Sequence, residues 1–520
     1  MRQVCGVDVE LSNHNAHFPR ILLVGPYDPH CGEYTFLAPP LGVWRLAGVL
    51  QARDIHAQVF DPNCCGPDVE RAFEEVLVSD AWDVIGLSTT AMTLRYDLAL
   101  AHLARKRVPG ATIVAGGMEA TFKAERVFAL GPFDLIVLGE GEHPLLELAE
   151  RLRSGAGLAG IAGTALRTRS GGVARFHQVA MTQPELTAAI GATPYDQMPY
   201  ERYWQRLENV YDVGELPYKA EREARLAEIR SVRLITLNYC PMGCSFCSST
   251  NFLHEAQGGI ARIARLDVAD CMDMLRHIVA THPGVRTVYF QDDIFVFTRD
   301  QRILPLCEEI VAAKERGELP RDLGFISTNR IDSMSTERLR AMRRAGFRVL
   351  GFGIENFSLA VLKEFNKRQI HRHIEPVLAT TLRLGITPFL DLILTSPHST
   401  LADLAQNVRE ATRWLEAGCE VGVYPYVIPF SGSALAADAE LSAHTVYETR
   451  TVPGTTLTWS DATKILPADS QARDAILQIE ERFEAACRSL AARVAHIPSR
   501  MRSVLWLQAA QDFLTRANAA

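Results

Sequence analysis

The sequence predicts an α/β fold in two successive units. The first is a doubly wound, Rossmann-like parallel sheet, the second a run of six strand–helix pairs, and a helical C-terminal region follows. Three observations predict this. Continuous apolar runs alternate with amphipathic stretches over about 20–150 and again over about 232–435, the pattern of strands buried on both faces by crossing helices. Small or polar residues follow those runs, at the strand ends where such sheets and barrels place their ligands. A tight cysteine array, Cys240, Cys244 and Cys247, follows the first apolar run of the second unit.

Taken in order, residues 20–27 (RILLVGPY) are an apolar run stopped by Gly and Pro. Residues 40–53 follow with Leu41, Trp44, Leu46, Ala47 and Leu50 at helical spacing. A strand is expected over His56–Phe60, a helix near 68–79, a strand over Asp83–Ser88 and a helix over about 96–107. The strand Ala111–Gly117, a helix near 123–130 and the strand Asp134–Gly139 complete the first unit. Residues 151–231 change character: Gly163–Phe176 reads as a hairpin around Ser170-Gly-Gly, and 200–230 is aromatic, then strongly charged, as in a solvated helix. Strands are then expected at 232–237, 286–291, 324–328, 348–353, 387–394 and 421–427. Helices are expected near 268–280, 301–316, 335–344, 358–365, 372–383 and 401–416. In the tail, 470–493 and 500–516 are amphipathic, with Leu505, Trp506 and Phe513 available for packing. The expected units are 18–150, a linker 151–231, 232–435 and 436–520.

Composition sets bounds. The chain has 520 residues, 48% hydrophobic and 22% charged, enough for two or three domains with sizeable cores. A net charge of −7 with mixed signs gives no basic footprint for nucleic acid. No apolar run reaches membrane-spanning length, and the start (MRQVCGVDVELSNHNAHFPR) shows no apolar h-region, so no secretory leader is expected. Eleven scattered cysteines fit a reducing compartment, which predicts a cytoplasmic protein.

The cysteines stand in Asn238-Tyr-Cys-Pro-Met-Gly-Cys-Ser-Phe-Cys-Ser, a C-x3-C-x2-C spacing. Thiolates this close suggest a soft metal centre. Four cysteines close an electron-transfer cluster; three leave one iron open to a ligand. A Cys3His zinc site closed by His254 is the alternative, and unrelated core cysteines are a second.

The array resembles that of the radical S-adenosylmethionine (radical SAM) superfamily, in which an aromatic residue precedes the third cysteine of a loop holding a [4Fe-4S] cluster. Phe246 fills that position. The resemblance implies a partial (β/α)6 barrel, SAM bound to the open iron, and one-electron cleavage of SAM to a 5′-deoxyadenosyl radical. It extends to the later strand exits. Phe290-Gln-Asp-Asp293 stands where the family places the segment that meets the SAM amino group, so Asp292 and Asp293 are expected there; buried ammonium groups need such acceptors. Ser327-Thr-Asn-Arg330 offers Ser327, and Arg330 for the SAM carboxylate, with a salt bridge to Asp332 or Glu355 as the alternative. Gly351-Phe-Gly-Ile-Glu355 resembles the family's G-x-G-x-E segment and implies that Glu355 meets SAM. Tyr424–Ser433 resembles a Pro-Phe-Pro-Gly-Thr segment but carries Ser431 in place of proline; Val427 and Ile428 there suit either an adenine wall or a core strand.

Ahead of the barrel, Gly86-Leu-Ser88-Thr89-Thr, Gly116-Gly117-Met-Glu-Ala-Thr and Gly139-Glu140-Gly141-Glu resemble the cobalamin-binding domain of B12-dependent radical SAM enzymes. Ser88, Thr89, Gly116, Gly117, Glu140 and Gly141 are the implied cobalamin contacts, with the nucleotide tail between the exits at Ser88 and Gly116-Gly117. The loop from Asp28 to Pro40 is implied to lie near the corrin ring. The D-x-H-x-x-G motif for a lower histidine ligand is absent, and His30 in Asp28-Pro-His30 has the wrong spacing for it.

The implied cofactors are a [4Fe-4S] cluster, SAM and cobalamin. The implied partners are a small-molecule or peptide substrate and an electron donor such as flavodoxin or ferredoxin. The leading expectation is a cobalamin-dependent methyltransferase acting on an unactivated centre in specialised metabolism. The alternatives are a non-methylating radical reaction with the same cofactors (cyclisation, ring contraction or oxidation), a radical SAM enzyme such as an aminocarboxypropyl transferase with a vestigial B12 domain, and a corrinoid carrier without turnover.

Overall fold

The computed structural model describes residues 18–29, 38–66, 68–216, 218–259, 261–491 and 499–517. The first sheet has seven strands: β1 (Ile21–Val24), β2 (Ala57–Phe60), β3 (Val84–Ser88), β4 (Thr112–Gly116), β5 (Leu135–Val137), β6 (Thr164–Arg167) and β7 (Val173–Phe176). Their order is β2-β1-β3-β4-β5-β6-β7. The first five are parallel, and the β6–β7 hairpin extends the sheet antiparallel beyond β5. Alternation along each strand supplies two apolar faces. Ile21, Leu23, Val84, Val114 and Leu135 pack with Trp44 and Leu148 of helices Leu41–Gln51 and Glu142–Ser154. Leu22, Val24, Ile85, Ile113 and Ile136 pack with Phe73, Leu98 and Val127 on the opposite side. The sheet is therefore wound on both faces. Its order reverses between β1 and β3, which opens a crevice at their carboxyl ends.

The second sheet is wholly parallel. It contains β8 (Ser231–Leu234), β9 (Thr287–Phe290), β10 (Gly324–Asn329), β11 (Phe347–Glu355), β12 (Thr387–Ile393) and β13 (Glu420–Tyr424), in the order β13-β12-β11-β10-β9-β8. Each strand after the first is preceded by a helix, as the apolar periodicity predicts, and β8 does not pair with β13, so the barrel is open. Exposed sheet edges invite further pairing and are normally covered. At β8 the linker does this: Tyr195 Oη donates to the Arg233 carbonyl at 2.9 Å, the Arg233 N–H donates to Tyr200 Oη at 3.1 Å, and Trp204 Nε1 donates to the Ser231 carbonyl at 3.1 Å. At β13 the Val423 N–H donates to Ser503 Oγ at 3.1 Å, from helix Ser499–Ala517. Tyr195 and Tyr200, read as part of a connecting segment, are fully buried.

The tail departs from a purely helical region. Helices Ser470–Ala491 and Ser499–Ala517 form as expected, but β14 (Thr445–Thr451) and β15 (Thr458–Ile465) make an antiparallel hairpin before them. Its Thr-Val-Tyr-Glu-Thr-Arg-Thr strand alternates β-branched and polar residues, which suits a half-exposed ribbon. The hairpin reaches the first domain through Asp461, 3.2 Å from Arg126. Among the described residues no helix is long and apolar enough to cross a membrane.

Candidate active site

The cysteine loop leaves β8 and is pinned from two sides. Thr250 Oγ1 accepts from the Gly243 N–H at 3.1 Å and donates to the Cys240 carbonyl at 3.0 Å. Ser245 N–H donates to the Phe365 carbonyl at 3.0 Å, and Asn366 Nδ2 donates to the Gly243 carbonyl at 2.7 Å. Phe246 packs edge-on to Phe365 with 5.0 Å between ring centroids, so this aromatic anchors the loop to the end of helix Leu359–Glu364, which follows β11. Burial is the largest cause raising all three thiols, Cys240 to about 12. As free thiols they stay protonated, so a bound metal must supply the positive charge that ionises them. His254 is engaged elsewhere, 2.6 Å from Tyr239 Oη. Among the described residues no three His, Cys, Asp or Glu side chains converge on a single ion. The donor set fits a multi-iron cluster with an open site better than a lone zinc.

The expected SAM residues divide into two groups. Asp293 stands at the Cys240/Cys247 side, hydrogen-bonded to Ser249, with its pKa raised by burial. Arg330 and Glu355 stand at the Cys244 side, where their charges act on that thiol. Arg330 makes a two-pronged pair with Asp332, both contacts at 3.0 Å, and donates to the Lys367 carbonyl at 3.0 Å. The salt-bridge alternative to Asp332 is thus realised. Glu355 sits at φ +62° after a bulge in β11 and pairs with Lys367 at 2.7 Å.

Two expectations need correction. Asp292 does not face the open mouth with Asp293: it is 3% exposed, and its oxygens accept from Thr236 N–H and Oγ1 at 2.6 Å and from Leu237 N–H at 2.8 Å. It fixes the backbone leading to Cys240, while burial raises its pKa to about 6. Ser327 is also turned away. Its neighbours in register are Phe290 and Leu350, both buried, and strand alternation gives the inner position to Thr328, which meets Tyr289 Oη at 3.2 Å.

Sequence reasoning missed two charged groups here. Lys367 follows no motif and is recognisable only through its contact with Glu355. Asp391 lies on β12 between Gly353 of β11 and Gly422 of β13, its register partners. With glycine on both sides its carboxyl opens into the barrel interior, where burial and the Glu355 charge raise it to about 7.

The first domain holds an apolar slot of about 200 Å³ at the ends of β1, β3, β4 and β5, lined by Ser88, Gly116, Gly117, Glu140 and Gly141 among others. Gly117 adopts φ +91°, and a Cβ there would lie 2.5 Å from the Thr89 carbonyl oxygen. Thr89 itself does not line the slot. Fully buried, it ties two exits together: its N–H and Oγ1 both donate to the Gly116 carbonyl, at 2.8 and 2.9 Å. His30 and most of the loop expected near the corrin ring lie outside the described residues. A glycine-walled slot at the topological switch point fits a flat nucleotide tail.

Helix Ser249–Gln257 begins two residues after Cys247 and spans the two sites. Its Phe252 lines the slot, Ala256 packs on Gly139, and the Ala256 carbonyl accepts from the Gln178 N–H at 2.8 Å. A further cavity of about 320 Å³ lies between the domains, bordered by Arg95, Tyr96, Ile428, Ser431, Arg450 and Trp459. Val427 is buried in the core and Ile428 faces this space. Ser431, the departure from the family's proline, hydrogen-bonds to Glu119 of the first domain.

A three-cysteine loop on an open parallel barrel, joined to a switch-point slot, defines a radical SAM barrel with an appended cobalamin-binding domain. Family models agree: the B12 binding domain matches residues 29–149 and the radical SAM superfamily matches 234–411. The chain is a radical SAM enzyme carrying a B12-binding domain, with the cofactors that pairing defines: a [4Fe-4S] cluster, SAM and cobalamin. It is 22% identical over 398 residues to an uncharacterized methyltransferase of Pyrococcus horikoshii, covering 76% of this chain and 77% of that one. Its fold resembles the radical SAM methyltransferase TsrM from Kitasatospora setae, solved with tryptophan and a SAM analogue, at TM-score 0.63 and 16% identity over 87% of this chain and 81% of TsrM. It also resembles the cobalamin-dependent radical enzyme OxsB with aqua-cobalamin, at TM-score 0.64 and 15% identity over 90% of this chain and 69% of OxsB.

Proposed function

We propose that the protein is a cobalamin-dependent radical SAM methyltransferase acting on an unactivated centre of a small molecule or peptide in specialised metabolism. The observation that carries this reading is helix Ser249–Gln257, which gives the cluster loop and the nucleotide slot a common wall. The relatives support methyl transfer: the Pyrococcus horikoshii protein and TsrM are both methyltransferases by name.

Bound at these sites, the cluster would supply the electron that cleaves SAM, and cobalamin the methyl group. The protein's own residues bind and orient. Cys240, Cys244 and Cys247 hold the cluster and leave one iron open. Asp293 would accept from an N–H of the SAM amino group on one side of the loop. Arg330, steered by Asp332, and Lys367, paired with Glu355, supply the N–H donors on the other side that would hold the SAM carboxylate. Asp391 offers a carboxylate to the substrate or the nucleoside deeper in the barrel. The cavity between the domains, with Arg95, Arg450, Tyr96 and Trp459 at its border, admits the substrate. A flavodoxin- or ferredoxin-like protein donates the electron.

The test is anaerobic purification from a cobalamin-fed host, with iron, sulfide and cobalt analysis, then incubation with SAM and reductant. About four irons and one cobalt per chain, with 5′-deoxyadenosine and S-adenosylhomocysteine as products, support the reading. Iron without cobalt after cobalamin is added back would refute it and make the first domain a scaffold. 5′-Deoxyadenosine without S-adenosylhomocysteine would point to a non-methylating radical reaction, and methylthioadenosine to aminocarboxypropyl transfer.

A further inference from the structure

Glu140 brings an unpartnered carboxyl to the wall of the nucleotide slot. It is 8% exposed, and its buried Oε2 has no hydrogen-bond partner among the described residues. Its backbone is clamped: the Glu140 N–H donates to Gln178 Oε1 at 3.3 Å, and the Gln178 amide donates back to the Glu140 carbonyl. Only the side chain is left to turn.

The neighbouring charges do not satisfy it. Arg45, also on the slot wall, lies 2.5 Å from Glu142 Oε1, and Glu142 is 3% exposed. One guanidinium therefore stands among two buried carboxylates and is already engaged by one of them. Burial and the Glu142 charge raise Glu140 to about 7, with Arg45 opposing the shift. A buried charge without a partner is costly, and native interiors leave few polar groups unsatisfied. The slot around Glu140 is otherwise mainly apolar and glycine, suited to a flat base, so a donor carried by the ligand is what would complete the carboxyl.

We propose that Glu140 accepts a hydrogen bond from the nucleotide tail of the bound cobamide, from a ribose hydroxyl or from an amine on its lower base, and so makes the domain favour corrinoids that carry the tail over those that lack it. This rests on the first domain holding a cobamide. The Arg45–Glu142 pair keeps helices Leu41–Gln51 and Glu142–Ser154 together, and Glu140 is left for the ligand.

The test is equilibrium binding of three probes to the full-length, cluster-reconstituted protein: cobinamide, which lacks the tail; cobalamin, whose base has no amine; and the adenine-containing cobamide, whose base has one. Glu140→Gln is expected to weaken cobalamin and the adenine cobamide about tenfold, the difference between a charge-assisted and a neutral hydrogen bond, and to leave cobinamide unchanged. That pattern assigns the donor to the ribose. A loss confined to the adenine cobamide assigns it to the base. Glu140→Asp, which keeps the charge and shortens the reach, is expected to follow the same pattern and guards against a fold defect in the amide variant. Equal affinity of wild type and both variants for all three probes, or an equal loss for cobinamide, would overturn the proposal. Wild-type protein that binds none of the three would instead overturn the cobamide reading beneath it.

Discussion

Gly117→Ala is the sharpest perturbation of the cofactor domain. Gly117 sits at φ +91° and ψ −174°, a region nearly closed to residues with a Cβ and costing about 1–3 kcal/mol to occupy. The new Cβ would stand 2.5 Å from the Thr89 carbonyl oxygen and 3.0 Å from its nitrogen. Both are backbone atoms and cannot rotate aside, so overpacking adds about 1–3 kcal/mol. The sum, about 2–6 kcal/mol, is a large part of an ordinary domain's stability. Relief comes from parting the β3 and β4 exits, which strains the two hydrogen bonds from Thr89 to Gly116. Cobalamin binding should therefore weaken; each 1.4 kcal/mol of strain left in the bound slot is tenfold. Gly116→Ala is the control. A Cβ there meets only Val137, at an ordinary 3.8 Å, so stability should change by less than about 0.5 kcal/mol. The assay is thermal unfolding of both variants with absorbance titration of cobalamin. Gly117→Ala losing no more stability than Gly116→Ala would refute the strained-exit reasoning.

Three further outcomes follow from the barrel. Cys244→Ala should remove the cluster and all 5′-deoxyadenosine formation; iron content and the visible spectrum after anaerobic reconstitution check this. Lys367→Met should destabilise the protein by about 3–5 kcal/mol by leaving Glu355 uncompensated, and Glu355→Gln beside it should restore most of that loss in denaturant unfolding. Asp391 has its folded pKa raised to about 7, so between about pH 4 and 7 the folded state binds more protons than the unfolded one and stability falls as pH rises. Asp391→Asn should lose that part of the slope and gain in relative stability toward neutral pH; parallel melting curves for the two proteins from pH 4 to 8 would show that the carboxyl titrates normally.

The strands were legible because a parallel sheet buried on both faces writes each strand as an unbroken apolar run, and the cysteines because cluster ligands must sit close in sequence. Parity was harder. Ser327 and Thr328 both suit a strand exit, and only the register with Phe290 and Leu350 shows which one turns outward. Asp292 and Asp293 pose the same difficulty: neighbours in sequence, one pinned under Thr236 and the other beside the cysteines. Lys367, Asp391 and the Arg45–Glu142 pair were silent because their meaning comes from partners distant in sequence or from glycines on adjacent strands. The β14–β15 hairpin was missed although its alternation is visible, since flanking helical periodicity dominates that stretch.

Helix Ser249–Gln257 carries a thermodynamic obligation. Its first turn follows Cys247, its Phe252 borders the nucleotide slot, and Ala256 touches Gly139 beside Glu140. Any shift of this rod on cluster insertion is felt at the cobamide, and any seating of the cobamide is felt at the iron. Linkage makes that influence reciprocal: the factor by which one cofactor tightens the other is the same in both directions. If seating the cobamide steadies this helix, a protein without cobalamin also holds its iron less firmly; if it strains the helix, the iron is held more firmly.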